Sequence, residues 1–189
     1  MFGLPLKVAD LMRGFEPDWF VAGGWAIDLF LEKTTRPHED IEIAIFRKNQ
    51  LALQDYLDGW LLKKAENGAL FDWKQGEFLE LPIFEIHCFR EAGELRFLEV
   101  LFNETNGKEW TFRRNETVTK PLPKLHLTSN CGIRFLRPEV VLLYKSKNPR
   151  AKDERDFQAV VNRLDAESKE WLKNAISICF SQHHWLENL

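Results

Sequence analysis

Hydrophobic and polar residues alternate with two different periods along the first half of the chain. Residues 19–22 form a short apolar run that ends on two glycines, and residues 25–32 then repeat apolar positions at the period of a helix. Residues 40–46 alternate instead, with three isoleucines on one face and two carboxylates on the other. Three further elements are predicted: a helix over residues 49–56, a strand over 60–65 and a β-hairpin over 83–102.

The predicted hairpin carries two glutamates, Glu85 and Glu99, whose relative orientation depends on its register. A turn about Ala92 and Gly93 sets Ile86 opposite Glu99. Because side chains alternate between the two faces of a strand, this register sends the two glutamates to opposite faces. We therefore expect only one of them to lie beside the carboxylates of the 40–46 strand.

The pattern changes after residues 120–123, Lys-Pro-Leu-Pro. Two prolines within three residues interrupt both helices and central strands, so a boundary is predicted here. Beyond it the pattern predicts only helices: one from Pro138 to Lys145, one over residues 152–164 and one after Ser168. The predicted fold class is α+β, with a mixed β-sheet and flanking helices in residues 1–120 and a helical C-terminal part in residues 121–189.

Composition narrows the class of protein. The chain has 189 residues and a formal net charge of −3, which argues against a nucleic-acid partner or a membrane surface. Three cysteines without C-x-x-C spacing favour a reducing compartment. The chain has no basic leader and no run of about 18 apolar residues. We expect a soluble cytoplasmic protein.

The candidate chemistry lies between residues 23 and 42. Gly23 and Gly24 stand where a strand turns into a helix, and the free N–H groups of such a turn favour an anion such as a polyphosphate. Asp40 and Glu42 are two apart on a strand, so they point the same way with Cα atoms about 6.5 Å apart. Such a pair suits Mg²⁺. The same two residues also fit a solvated strand face.

The longer pattern resembles a known family. Gly-Gly-Trp-Ala-Ile-Asp at residues 23–28, followed by Thr-Arg-Pro-His-Glu-Asp-Ile-Glu at residues 35–42, resembles the polymerase-β-like nucleotidyltransferase superfamily. Within it, the pattern is similar to the aminoglycoside 2″-adenylyltransferase and lincosamide nucleotidyltransferase branch. A weaker likeness runs through residues 84–87, Phe-Glu-Ile-His, and residues 137–157. The chain departs from the pattern at Glu42, where many members carry Asp.

The resemblance implies a transferase that uses ATP or another nucleoside triphosphate together with two Mg²⁺ ions. It would transfer a nucleoside monophosphate to a hydroxyl of a small acceptor, such as an aminoglycoside or lincosamide antibiotic. Asp40, Glu42 and a third carboxylate would bind metal. Glu85 is favoured for the third position over Glu99, since Phe-Glu-Ile-His matches a pattern of the lincosamide-type relatives. The alternative is a degenerate member that binds nucleotide or a protein partner in a toxin–antitoxin or regulatory role.

The nucleotide contacts implied by the resemblance each have a structural alternative. Gly23 and Gly24 would bind the β and γ phosphates, or form an ordinary tight turn. Arg36 would contact phosphate or pair with Asp28, and His38 would position its neighbours. Lys145 and Lys152 would contact the triphosphate tail, or pair with the acidic residues that follow them at positions 153, 154 and 156.

Overall fold

The computed structural model describes residues 2–189, in which six α-helices and ten β-strands occur. The helices are α1 (Gly3–Leu11), α2 (Gly23–Leu31), α3 (Gln50–Tyr56), α4 (Pro138–Lys145), α5 (Ala151–Val160) and α6 (Ala166–Cys179). The strands are β1 (Trp19–Val21), β2 (Glu42–Phe46), β3 (Leu61–Glu66), β4 (Ala69–Asp72), β5 (Glu85–Phe89), β6 (Phe97–Thr105), β7 (Glu109–Thr111), β8 (Thr119–Pro121), β9 (His126–Thr128) and β10 (Arg134–Leu136).

The strands form one mixed sheet in the order β4-β3-β5-β6-β2-β1-β10-β9, and β7 joins β6 to β8. The pairs β2–β6 and β1–β10 are parallel. Strand β2 lies near the middle, and its residues 43–46 are all buried. Both faces of this strand are therefore covered, as in the centre of a layered fold. Its first residue, Glu42, remains partly exposed and marks the edge at which a ligand has access.

The helices pack on this sheet through apolar side chains. Helix α2 contacts β2 and β10 and also touches α4 and α5, while α6 packs on α4. In α5, Phe157 is fully buried and stacks on Trp185, with ring centroids 4.3 Å apart. The predicted α+β class, a mixed sheet with flanking helices, is confirmed. None of the helices in residues 2–189 is long and apolar enough to cross a membrane.

The prediction that only helices follow residue 123 is wrong. Strand β10 pairs in parallel with β1, with Val21 opposite Phe135, and β9 pairs with β10 on its other side. Strands of three residues are too short to show a period, and β10 pairs with a strand more than a hundred residues earlier in the chain. Residues 121–136 thus complete the sheet, and the helical part begins at Pro138 instead of at residue 121.

The predicted register of the β5–β6 hairpin is wrong by one residue. His87 pairs with Glu99, and Ile86 pairs with Val100. The connecting loop is one residue longer than we assumed, since the Arg90 amide donates to the carbonyl of Arg96 instead of pairing with Leu95, and Gly93 at the centre of the loop has a φ of 107°. A shift of one residue reverses the faces. Glu85 and Glu99 therefore project from the same face of the sheet.

Candidate active site

The residues predicted to form a site line one cavity of about 790 Å³. It is bounded by the glycine turn at the start of α2, the starts of β2 and β5, the middle of β6, and the loop between α4 and α5. The predicted residues that line it are Gly23, Gly24, Arg36, His38, Asp40, Glu42, Glu85, Glu99, Lys145 and Lys152. The fold thus brings together candidates that lie up to 129 residues apart in the sequence.

The glycine turn is built so that no side chain fits at either position. Gly23 has a φ of +57°, and a β-carbon there would lie 1.3 Å from Oε2 of Glu42. A β-carbon on Gly24 would lie 2.5 Å from an Arg36 nitrogen and 2.6 Å from His38 Cε1. The backbone N–H of Gly24 donates to the Glu42 carboxylate. The turn therefore presents the Gly24 N–H to an anionic group, the Glu42 carboxylate.

Helix α2 fixes the loop that enters the carboxylate strand. The buried Asp28 carboxylate accepts hydrogen bonds from the Thr35 amide at 3.1 Å and the Thr35 hydroxyl at 2.6 Å, and it lies 2.7 Å from His38 Nε2. Burial raises the pKa of Asp28, but the hydrogen bonds from His38 and Thr35 outweigh it and lower that pKa. The Trp25 indole donates to the Asp40 carbonyl at 2.9 Å. These contacts explain why the motif needs Trp, Asp, Thr and His at these spacings.

Two of the predicted phosphate contacts are paired with acids of α5. Arg36 lies 3.4 Å from Asp156, so the alternative that it pairs with Asp28 is wrong. Lys145 lies 2.7 Å from Asp153 and 3.0 Å from Asp156. By contrast, no carboxylate of residues 2–189 lies within 4.0 Å of the Lys152 ammonium. Lys152 is the cation in this group that remains available to a ligand.

Acidic side chains gather where β2, β6 and β5 lie side by side. Glu42 and Glu99 are direct neighbours in the parallel β2–β6 pair, and His87 of β5 lies on the other side of Glu99. Burial, followed by the negative charges of Glu42, Glu85 and Asp40, raises the pKa of Glu99 to about 8. Burial also raises the pKa of Glu42. A cluster of carboxylates that oppose one another's ionisation suits a divalent cation.

A histidine takes part in this cluster. His87 Nε2 lies 2.6 Å from a Glu85 carboxylate oxygen, and one ligand atom from each of Glu85, His87 and Glu99 lies within 4.8 Å of the others. These three side chains could together hold an ion. Glu85 is opposite Leu101, two positions along β6 from Glu99, so it lies farther from β2 than Glu99 does.

Several residues at the other end of the cavity were not recognised from the sequence. Arg113, Arg114 and Tyr144 line this end, and the Arg113 guanidinium stacks 3.3 Å from the centroid of the Phe84 ring. The Tyr144 hydroxyl donates to the Asn103 side-chain oxygen at 3.1 Å. The two adjacent arginines belong to no motif, so the one signal in the sequence was a pair of cations directly after Trp110 and Phe112.

Comparisons with known proteins agree with this geometry. Residues 5–78 match the family model of the aminoglycoside-2″-adenylyltransferases. No curated protein matches the chain. The lincosamide antibiotic adenylyltransferase LnuA, solved with lincomycin, matches at a TM-score of 0.57 and 18% identity over 82% of this chain and 92% of its own.

The antibiotic-resistance factor ANT(2″)-Ia also matches. Its solution structure gives a TM-score of 0.62 and 16% identity over 95% of this chain and 92% of its own. Its crystal structure with adenylyl-2″-tobramycin gives 0.58 and 17% over 95% and 98%. The resemblance predicted from the sequence is thereby confirmed: residues 5–78 match the model of the aminoglycoside-2″-adenylyltransferases, and the chain has the fold of these two antibiotic adenylyltransferases.

Proposed function

We propose that this protein transfers AMP from ATP to a hydroxyl group of a small organic acceptor. The observation that carries the proposal is the pairing of Glu42 with Glu99 beside the glycine turn, inside a cavity large enough for a nucleotide and a second ligand. An anion-binding turn next to clustered carboxylates is the combination that nucleotidyl transfer requires. The turn would bind phosphate, and the carboxylates would bind the metal ion that accompanies the phosphate.

The donor set fits a divalent cation. Asp40 is exposed and Glu42 and Glu99 are partly buried, so the three carboxylates border the cavity instead of lying in the core. The raised pKa of Glu99, caused by burial and by neighbouring acids, indicates that the positive charge of Lys152 does not offset these two effects. We propose that Asp40, Glu42 and Glu99 hold Mg²⁺. Bound there, the ion would supply charge neutralisation at the α-phosphate and the departing pyrophosphate.

The geometry favours Glu99 over Glu85 as the third carboxylate. Adjacent strands of a sheet lie about 4.8 Å apart, and Glu99 is one strand from Glu42 at the same level. Glu85 is two strands from Glu42 and two residues further along. The sequence preference for Glu85 depended on the likeness of Phe-Glu-Ile-His to a relative's pattern, whereas the incorrect hairpin register implied only that one of the two glutamates could lie beside Glu42. We propose that Glu85 instead orients His87 through their 2.6 Å contact.

The remaining side chains bind and orient the substrates. The Gly23–Gly24 turn and the unpaired Lys152 would contact the triphosphate, while Arg36 and Lys145 are held by α5 and contribute positive charge to the same wall. His38, fixed by Asp28, keeps the loop against Gly24. The acceptor hydroxyl attacks the α-phosphorus in line and pyrophosphate leaves. Glu99, which lines the cavity beside Glu42, is placed to accept the hydroxyl proton as its carboxylate.

The structural neighbours suggest the first acceptors to test. LnuA was solved with lincomycin and ANT(2″)-Ia with an adenylylated tobramycin, so antibiotic hydroxyls are one class of acceptor for this chain. The alternative, a degenerate protein that binds nucleotide or a partner without turnover, is not favoured. A complete set of glycine turn, paired carboxylates and available lysine is what a catalytic site needs and a purely structural fold does not.

The proposal is tested by incubating the protein with ATP, Mg²⁺ and a panel of hydroxylated acceptors that includes lincomycin and tobramycin. We expect a product whose mass exceeds that of its acceptor by one AMP unit, together with one pyrophosphate per product. The Asp40→Asn variant serves as the inactive control. Absence of any adenylylated product, combined with absence of Mg²⁺-dependent nucleotide binding, would show that the proposed function is wrong.

A further inference from the structure

The end of the cavity away from the glycine turn is cationic. In the sheet order β5-β6-β2-β1, Glu99 lies on β6. The glycine turn, which follows β1, lies on one side of Glu99, and Phe84, directly before β5, lies on the other side. Arg113 stacks on Phe84, with its guanidinium carbon 3.3 Å from the ring centroid. The Arg113 guanidinium therefore lies across Glu99 from the turn that would hold the triphosphate, on the side left for the acceptor.

Both arginines at this end lack an acidic partner. Within residues 2–189, no carboxylate oxygen lies within 4.0 Å of Arg113 or Arg114. Arg36, Lys145 and Arg150 in the opposite wall all have such partners. Burial lowers the pKa of both guanidinium groups, and the charge of Glu85 offsets this only in part for Arg113, which indicates that both groups have lost hydration without a close counter-ion.

The two guanidinium groups are also held in place. Each has its central carbon 5.6 Å from the centroid of the Tyr144 ring. Arg114 Nη1 donates to the Tyr144 carbonyl at 2.9 Å. Phe112, directly before the two arginines, is fully buried and anchors their backbone. A planar guanidinium fixed by stacking loses little freedom when it binds an oxyanion and can present two N–H groups to it.

The charges of the whole cavity agree with this. Eight of its lining residues are Arg or Lys and six are Asp or Glu; three of the cations face the triphosphate and three of the acids the metal, which leaves five basic and three acidic residues. The rest of the lining is therefore net cationic and favours an anionic group of the acceptor over a cationic one. We propose that Arg113 and Arg114 bind an oxyanion of the acceptor, so that the acceptor class is a small hydroxylated compound bearing a carboxylate or a phosphate. This inference rests on the proposed function.

The test uses four related sugars that differ in charge: glucose, glucosamine, gluconate and glucose 6-phosphate. Binding of each is measured by calorimetry to the protein saturated with Mg²⁺ and a non-hydrolysable ATP analogue, so that the triphosphate site is already filled. We expect gluconate or glucose 6-phosphate to bind at least about tenfold more tightly than glucose, since a charge-assisted hydrogen bond contributes about 1.5–3 kcal/mol. Glucosamine should bind no better than glucose. The two anions distinguish a carboxylate subsite from a phosphate subsite.

Two variants test whether the arginines cause the preference for the anionic sugars. Arg113→Met and Arg114→Met should each remove most of the preference for the anionic sugar while leaving affinity for the ATP analogue unchanged. Arg163→Met, an exposed arginine after α5, is the matched control and should behave as wild type. Equal or stronger binding of glucosamine, failure of both anions to bind, or an unchanged preference in both variants would overturn the proposal. Normal binding of the ATP analogue in those cases would leave the proposed function standing.

Discussion

At the scale of single residues, the site is defined by acids that are close together and poorly solvated. Glu99 lies between Glu42 on one strand and His87 on the other. Its raised pKa is a consequence of burial first and of three neighbouring carboxylates second. This environment was not predicted from the sequence, because it depends on a register that one extra loop residue reverses. Asp40 and Glu42, the carboxylates recognised from their spacing, both line the cavity, although β2 begins at Glu42 and Asp40 lies in the loop before it.

Substitution of the two candidate glutamates separates their roles. We expect Glu99→Gln to reduce kcat for adenylyl transfer by at least about 100-fold, because it removes a metal ligand and proton acceptor. Glu85→Gln should reduce it by no more than about tenfold, since Glu85 contacts His87 and lies farther from Glu42. The measurement is steady-state turnover at saturating ATP. A large loss in Glu85→Gln alone would restore the choice made from the sequence.

The raised pKa of Glu99 predicts how stability depends on pH in the metal-free protein. The folded state holds a proton on Glu99 up to about pH 8, whereas the unfolded chain releases it near the usual value of 4.5. The stabilisation is therefore fully present below pH 4.5 and is lost as pH rises through 8. Urea unfolding in EDTA should show this fall between pH 5 and 8, and Glu99→Gln should reduce it. An equal fall in the variant would contradict the prediction.

At the scale of elements, the strand–turn–helix from β1 to α2 and the loop into β2 act as one unit. Asp28 and Trp25 on the helix hold His38 and Asp40 of the loop, all within about twenty residues of sequence. Such local contacts explain why this region could be predicted from its pattern. Strands β9 and β10 could not, because each has three residues and depends on partners elsewhere in the fold.

The glycine turn can be tested with a matched pair of substitutions. Gly23 and Gly68 both have positive φ, so replacement of either by Ala costs a similar backbone strain, of roughly 1 kcal/mol. Only at Gly23 would the new β-carbon meet the Glu42 carboxylate; at Gly68 nothing lies within 4 Å. We expect Gly23→Ala to lose nucleotide binding by at least about tenfold, and Gly68→Ala to retain it. The affinity of each variant for an ATP analogue is measured by calorimetry. Equal affinities of the two variants would show that the turn does not contact the nucleotide.

At the scale of the whole molecule, the helical part is joined to the site by buried charges. Lys145 at the end of α4 pairs with Asp153 and Asp156 of α5, and Asp156 in turn pairs with Arg36 of the motif loop. The network connects the sheet, the loop and two helices. The pairing of Lys145 with Asp153 and Asp156 was one of the two alternatives predicted from the sequence. The pairing of Arg36 with Asp156 was not predicted, because the two residues lie 120 positions apart in the chain.

The network predicts an unequal response to removal of its cations. Lys145→Met would leave two buried aspartates without their shared partner and should destabilise the protein by about 3–5 kcal/mol. Arg150→Met removes a side chain that is 68% exposed, and Asp153 keeps Lys145, so the loss should stay below about 1 kcal/mol. Chemical denaturation gives both free energies of unfolding. Similar losses in the two variants would mean that Lys145 does not hold the network together.

The central claim, that Asp40, Glu42 and Glu99 form a metal-dependent nucleotide site beside the glycine turn, is tested most directly by calorimetric titration with a non-hydrolysable ATP analogue. We predict that the wild-type protein binds the analogue at least about tenfold more tightly with Mg²⁺ than in EDTA. Asp40→Asn should lose this dependence, and Asp58→Asn, an exposed acid after α3, should keep it. Binding that is equal with and without Mg²⁺, or equal in wild type and Asp40→Asn, would contradict the account.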